Sequence, residues 1–177
     1  MVDLALLQSV SYIAGALGVC VAAAYYVMTL RITQNNLKAN LETRQAQLLM
    51  NIYERWSDPE FQDAWTTILS WEWKDFDDFI QQYYSKKESK RTLNLVSGLF
   101  EGLGVYVKRG FIDASLVDDL MSGTIVTYWQ KIGPLAMEYR KRMNAPTNAE
   151  YQEYLYNVIY EIWNREHPET PRPHETQ

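Results

Sequence analysis

The sequence predicts an all-α chain: one long N-terminal transmembrane helix continues into a stalk and leads into a compact multi-helix bundle. Three observations carry this. Residues 4–30 are a run of 27 residues without a charge, bounded by Asp3 and Arg31. The apolar residues beyond position 56 recur at helical spacing, as one buried helix face requires. No segment alternates with the period of two that a half-buried strand needs.

The anchor occupies residues 1–30. Its densest part, residues 12–30, would rise about 28 Å as a helix, close to the ~30 Å hydrocarbon core of a bilayer. A cleavable signal peptide needs a positive leader, but the chain starts Met1-Val2-Asp3. Ala22-Ala23-Ala24 resembles a cleavage site, yet the apolar run continues past it to Leu30. Leu17-Gly18-Val19-Cys20 fails as a lipoprotein box because Val19 stands where a small residue is needed. The segment is therefore expected to stay. Arg31, Lys38 and Arg44 follow the run and no cation precedes it. The positive-inside rule then sets the topology: a short N-terminus outside, the C-terminal domain in the cytoplasm, and the lipid bilayer as first partner. Ala14, Gly18 and Ala22 recur every four residues as a ridge of small side chains, which predicts helix packing in the membrane and a homo-oligomer.

Residues 31–56 contain neither Pro nor Gly, so the helix should run on as a stalk. Leu37, Leu41, Leu48, Ile52 and Trp56 form its apolar stripe, the second half of which should dock on the domain. Residues 57–165 are the expected cytoplasmic domain. Ser57-Asp58-Pro59-Glu60 reads as a capping box with Ser57 at the N-cap. Phe61, Ala64, Trp65, Ile68 and Leu69 then face inward. A short helix over 75–84 turns Phe76, Phe79, Ile80 and Tyr83 to the core. Residues 85–90 read as a charged connection. The strongest soluble segment, 90–109, carries Leu93, Val96, Phe100, Leu103 and Val107, and Gly110 should end it. Asp113 caps the next helix, which has Leu116, Val117, Leu120 and Met121 on its apolar face. Gly123 is expected to start or bend a helix over 124–132, and Gly133-Pro134 to break or kink the run before 135–143. After the turn Asn144-Ala145-Pro146-Thr147, Asn148 caps a last helix with Tyr151, Leu155, Val158, Ile159 and Ile162 inward. Residues 166–177, rich in Pro and Glu, read as a disordered tail.

Composition narrows the function classes. The net charge is −5 with no dense basic run, which argues against nucleic acid as a partner. Cys20 is the one cysteine, so no intramolecular disulfide forms. Both histidines, His167 and His174, fall in the tail, which leaves no base held by packing for nucleophilic catalysis. Gly98-x-x-x-Gly102-x-Gly104 lacks the Lys-Ser/Thr ending of a phosphate loop and sits in a helical stripe, so it predicts close helix packing. Asp77-Asp78 and Asp118-Asp119 are adjacent helix positions that diverge by about 100° and need not converge on a metal. No cofactor is expected. Asn94, Glu101 and Arg140 stand out as polar residues among apolar neighbours. Asn94 and Glu101 lie two helical turns apart on one face. A buried Glu101 needs a partner, and Arg140 is the expected one.

The run Leu93-Asn94 through Phe100-Glu101, then Gly104, Lys108-Arg109-Gly110 and Ile112-Asp113, resembles a large uncharacterised family of prokaryotic single-span proteins. Trp129, Arg140 and the aromatic-rich residues 151–163 extend the likeness. The anchor and residues 41–48 look like an archaeal branch of it. The family is classed as a domain of unknown function, so the resemblance implies an N-terminal membrane helix and a cytoplasmic helical domain but no activity. With no catalytic set in view, the expected role is a membrane-anchored protein-interaction or scaffold module. The alternatives are a sensor or regulatory subunit of a membrane complex, and a carboxylate-based enzyme around Glu101.

Overall fold

Helix α1 runs without a break from Leu4 to Trp56 in a computed structural model that describes residues 4–166. Five helices follow: α2 (Pro59–Ser70), α3 (Phe76–Phe79), α4 (Lys87–Lys108), α5 (Ala114–Met143) and α6 (Glu150–Glu166). A π-helical turn, Ile80–Tyr84, extends α3. No strand occurs among the described residues, and the all-α expectation holds. The expectations for His167, His174 and the tail lie outside the described residues. The chain divides between Arg44 and Gln45 into two units.

The first unit is the apolar part of α1 and the polar turns after it. Every described side chain in it is exposed, and none of its most apolar 18-residue window is buried inside the chain. By length and composition it can cross a membrane. Three of its hydroxyls bond within the helix: Ser9, Ser11 and Thr29 each donate to the carbonyl four residues back, at 2.9 Å. Such internal bonding lowers the cost of placing a hydroxyl in an apolar medium.

The second unit starts with the last turns of α1. Leu49 and Ile52 are buried, with Leu48 and Trp56 packed at the edge of the core, whereas Leu37 and Leu41 of the expected stripe are exposed. Trp56 meets Phe61 and Trp65 edge-on at 5.2 and 5.1 Å, and Phe100 stacks on Tyr128 at 4.6 Å. Aromatic pairs of this kind add about 0.5–1.5 kcal/mol each beyond their buried area. Around this centre α4 packs on α2 and α6, and α6 also packs on α5.

The helix ends show where local chemistry decides and where packing overrides it. Asp58, rather than Ser57, is the N-cap of α2; its carboxylate accepts from Glu60 N–H at 2.9 Å. Ser57 instead donates its N–H to the Tyr53 carbonyl and closes α1. At the other end of α2, the Lys131 ammonium donates to the carbonyls of Leu69 and Trp71 at 2.8 Å each, a cation on a helix C-terminus. The expected connection over 85–90 is shorter than read, because α4 already starts at Lys87. Helix α4 ends in a Schellman motif. Gly110 has φ +70°, Phe111 N–H reaches Tyr106 O at 2.9 Å and Gly110 N–H reaches Val107 O at 3.0 Å. Asp113 caps α5 through Ser115 N–H and Oγ, bonds that hold its carboxyl below the usual aspartate value.

Two breaks that the sequence allowed in α5 do not occur. Gly123 does not start a separate helix, and Gly133-Pro134 does not end one; α5 is continuous over 30 residues. Ile132, Gly133, Leu135 and Ala136 around Pro134 are buried, and this packing offsets the ~3 kcal/mol that an internal proline costs. Gly133 has its own reason to be glycine, since a Cβ there would lie 2.8 Å from the Trp129 ring. Asn144, at φ 49°, stops α5.

Candidate functional site

The loop from α5 to α6 delivers α6 to the flank of α4. A Cβ on Gly104 would overlap the Tyr151 carbonyl oxygen and sit 2.7 Å from its carbon, so the two helices touch backbone to backbone at this point. The other two glycines of the run differ: Gly98 and Gly102 have open space where a Cβ would go. The expected close packing therefore belongs to Gly104.

The residue ahead of α6 is Ala149, not the expected cap Asn148. It is held at φ 56° and has no polar side chain with which to cap the helix. The missing cap comes from α4. Glu101 accepts the N–H of Tyr151 at 3.4 Å through Oε1 and that of Gln152 at 3.2 Å through Oε2. A carboxylate at a helix N-terminus satisfies donors that have no partner within the helix and meets the positive end of its dipole.

Arg140 takes another partner than the one expected. Its Nη1 pairs with Glu153 at 2.5 Å and its Nε donates to Asn148 O at 2.6 Å, which ties the end of α5 to the start of α6. The pair Glu101–Arg140 is not formed, because α6 arrives between them and supplies a partner to each. The acidic pairs do not gather either. Asp77 bonds Arg142 at 2.6 Å, while Asp78 accepts from Lys74 N–H and Gln82. Among the described residues no group of three or more His, Cys, Asp or Glu is placed to hold a metal.

Beside Glu101 a cleft of about 420 Å³ opens between α3, α4, α5 and the loop before α6. Its walls are apolar and aromatic, with Phe79, Tyr84, Leu93 and Tyr139 prominent. Asn94, Ser97, Glu101 and Gln152 bring polar groups to it, so the structure gathers two of the three polar residues singled out by sequence and leaves Arg140 outside. Tyr84 enters the wall from the π-helical turn; a hydrogen bond with Tyr139, then burial, push its hydroxyl up to about 12. Behind the wall, Tyr128 Oη lies 2.5 Å from Ser97 Oγ. Burial, reinforced by the Glu101 charge and opposed by the Ser97 bond, raises that phenol well above the usual tyrosine value.

Gln152 is the residue that sequence reading passes over. It is 6% exposed, the one buried amide or charged side chain among the described residues. Its Nε2 donates to Ser97 O at 3.1 Å, while its Oε1 is buried without a hydrogen-bond partner. A signal for this corner does exist in the chain: Ala149 cannot cap α6, so the first N–H groups of that helix must find an acceptor elsewhere. In the first unit, Ala14, Gly18 and Ala22 lie on exposed helix surface, as do Arg31, Lys38 and Arg44.

Comparison with curated proteins and with solved structures finds no match. A family profile does match, over residues 12–159: a domain of unknown function, DUF4760. That match takes in most of α1 and nearly all of the helical unit, so this chain belongs to the DUF4760 family.

Proposed function

We propose that this chain is a single-span membrane protein that displays its helical unit on the cytoplasmic side as a protein-interaction or scaffold module. The observation that carries the reading is the first stretch of α1: residues 4–30 carry no charge, and every described side chain among them is exposed. Lipid is the solvent such a surface suits. Arg31, Lys38 and Arg44 support the N-outside orientation, and the likeness of the anchor and residues 41–48 to an archaeal branch belongs to the same proposal. The ridge Ala14, Gly18, Ala22 supports a homo-oligomer through the span, since small residues let backbones approach closely in lipid.

Alkaline carbonate extraction of membranes tests the anchor: the chain is expected to stay in the pellet, and its release to the supernatant would overturn the reading. Gly18→Leu in a membrane self-association assay tests the oligomer. Loss of association is expected, and unchanged association ends that part of the proposal.

A second reading, a sensor or regulatory subunit, is favoured by the ligand-sized cleft in the helical unit. A carboxylate-based enzyme draws less support. Both Glu101 oxygens already accept backbone N–H groups, and the Arg140 guanidinium is engaged by Glu153 and Asn148.

A further inference from the structure

The cleft beside Glu101 combines features that together specify a ligand. Its ~420 Å³ lies in the range of small-molecule sites, as does its makeup of apolar wall with a few convergent polar groups. Glu101 is the one lining residue with a formal charge. The two backbone N–H bonds it accepts leave part of a carboxylate's capacity of about four lone-pair sites unused. The dipole of α6 offsets about half of its charge, and the balance stays negative.

Gln152 adds the second observation. Its amide nitrogen is fixed by Ser97 O, which assigns the other end of the group as oxygen, and that oxygen is buried and unpartnered. A buried acceptor without a donor costs about 1–3 kcal/mol, so the site favours any occupant that brings one. Both polar groups thus ask for N–H donors. The rings of Phe79 and Tyr139 suit an apolar body and attract a cation, and Tyr84 already holds one, the Lys90 ammonium 4.6 Å from its ring centre. Ala149, also in the lining, holds a left-handed conformation that costs a non-glycine residue about 1–2 kcal/mol and shapes the loop around the opening.

We infer that the cleft binds a small organic ammonium ion, an alkyl- or arylamine that donates to Gln152 Oε1 and Glu101 and lays its apolar body on the aromatic wall. This inference stands apart from the anchor and its orientation.

Equilibrium dialysis of the full chain in phosphatidylcholine nanodiscs, with empty discs as the blank, tests it with radiolabelled 2-phenylethylamine. Saturable binding of one equivalent is expected. The neutral 2-phenylethanol and the anionic 3-phenylpropionate should each bind at least about tenfold more weakly, the loss of one hydrogen bond to a charged donor. Gln152→Met, which keeps the side-chain length but removes the acceptor, should weaken the amine by about tenfold. Gly98→Leu should abolish binding with the helical circular dichroism unchanged, because Gly98 lines the cleft and has open space at its Cβ position.

Absence of saturable binding overturns the inference. So does equal or tighter binding of the alcohol or the acid. Wild-type binding by folded Gly98→Leu or Gln152→Met would do the same, and would leave the Gln152 oxygen to an ordered water.

Discussion

Gly102 and Gly104 are two residues apart on α4, yet alanine at the two positions should move stability in opposite directions. At Gly102 a Cβ meets nothing within 4 Å, so the change is one of helix propensity. It should stabilise by about 1 kcal/mol. At Gly104 the Cβ would overlap the Tyr151 carbonyl oxygen and stand 2.7 Å from its carbon and 3.0 Å from the Tyr151 Cβ. Ordinary carbon contacts lie near 3.5–4.0 Å, so α4 and α6 must separate by about 1 Å. The obstacle is backbone and cannot rotate away. Overpacking costs about 1–3 kcal/mol, and this geometry belongs at the upper end; less ~1 kcal/mol of propensity gain, the net loss is about 2 kcal/mol. Gly102→Ala and Gly104→Ala should therefore differ by about 3 kcal/mol. Urea unfolding of the full chain in detergent micelles, followed by tryptophan fluorescence, reads the second unit alone, since all six tryptophans fall within residues 56–163. Two alanine variants of equal stability, or a Gly104→Ala protein as stable as the parent, would refute the close approach of α4 and α6.

The same unfolding measurement checks the cap: Glu101→Ala should cost about 2 kcal/mol and Glu101→Gln about half of that, because glutamine keeps one acceptor oxygen. Lys131→Met should cost about 1–3 kcal/mol by leaving the carbonyls of Leu69 and Trp71 without their donor, and would show as a lower urea midpoint at unchanged slope. Alkali should destabilise the helical unit. Tyr84, raised to about 12, and Tyr128, raised further by burial, keep their protons in the fold while unfolded tyrosine loses its proton near pH 10. The folded state then binds more protons, so stability is whole below about pH 10 and declines from there through pH 12. Lys131, lowered by burial, works in the other direction below its ordinary value. Absorbance at 295 nm should show Tyr84 and Tyr128 ionising only as the helical unit unfolds, read as the part of the signal lost in Tyr84→Phe and Tyr128→Phe variants; ionisation of either near pH 10 in the folded protein would contradict the burial argument.

Much of this fold was legible because it rests on local rules. The absence of charge over residues 4–30 marked α1, and Leu93, Val96, Phe100, Leu103 and Val107 marked the buried face of α4. That same stripe separates the glycines: on a helical wheel Gly104 falls at its edge, while Gly98 and Gly102 fall opposite. Pro134 does not end α5 because a local rule met a stronger tertiary one, the burial of its neighbours on both sides. Asn94 and Glu101 were visible as polar residues beside an apolar stripe. The partner of Glu101 was not, since it depends on where α6 docks, a long-range outcome that no spacing encodes. Gln152 stayed hidden for a related reason. In sequence it is one polar residue in the first turn of an amphipathic helix; only the packing of that turn against Ser97 and Glu101 buries it.

The central claim, a span in α1 with the helical unit on the cytoplasmic side, is tested most directly by labelling a single cysteine. In a Cys20→Ser background, Asp119→Cys places a thiol on exposed surface of α5. A membrane-impermeant maleimide added to intact cells should leave it unlabelled, and should label it fully once the membrane is permeabilised. Full labelling in intact cells would put the helical unit outside and contradict the account.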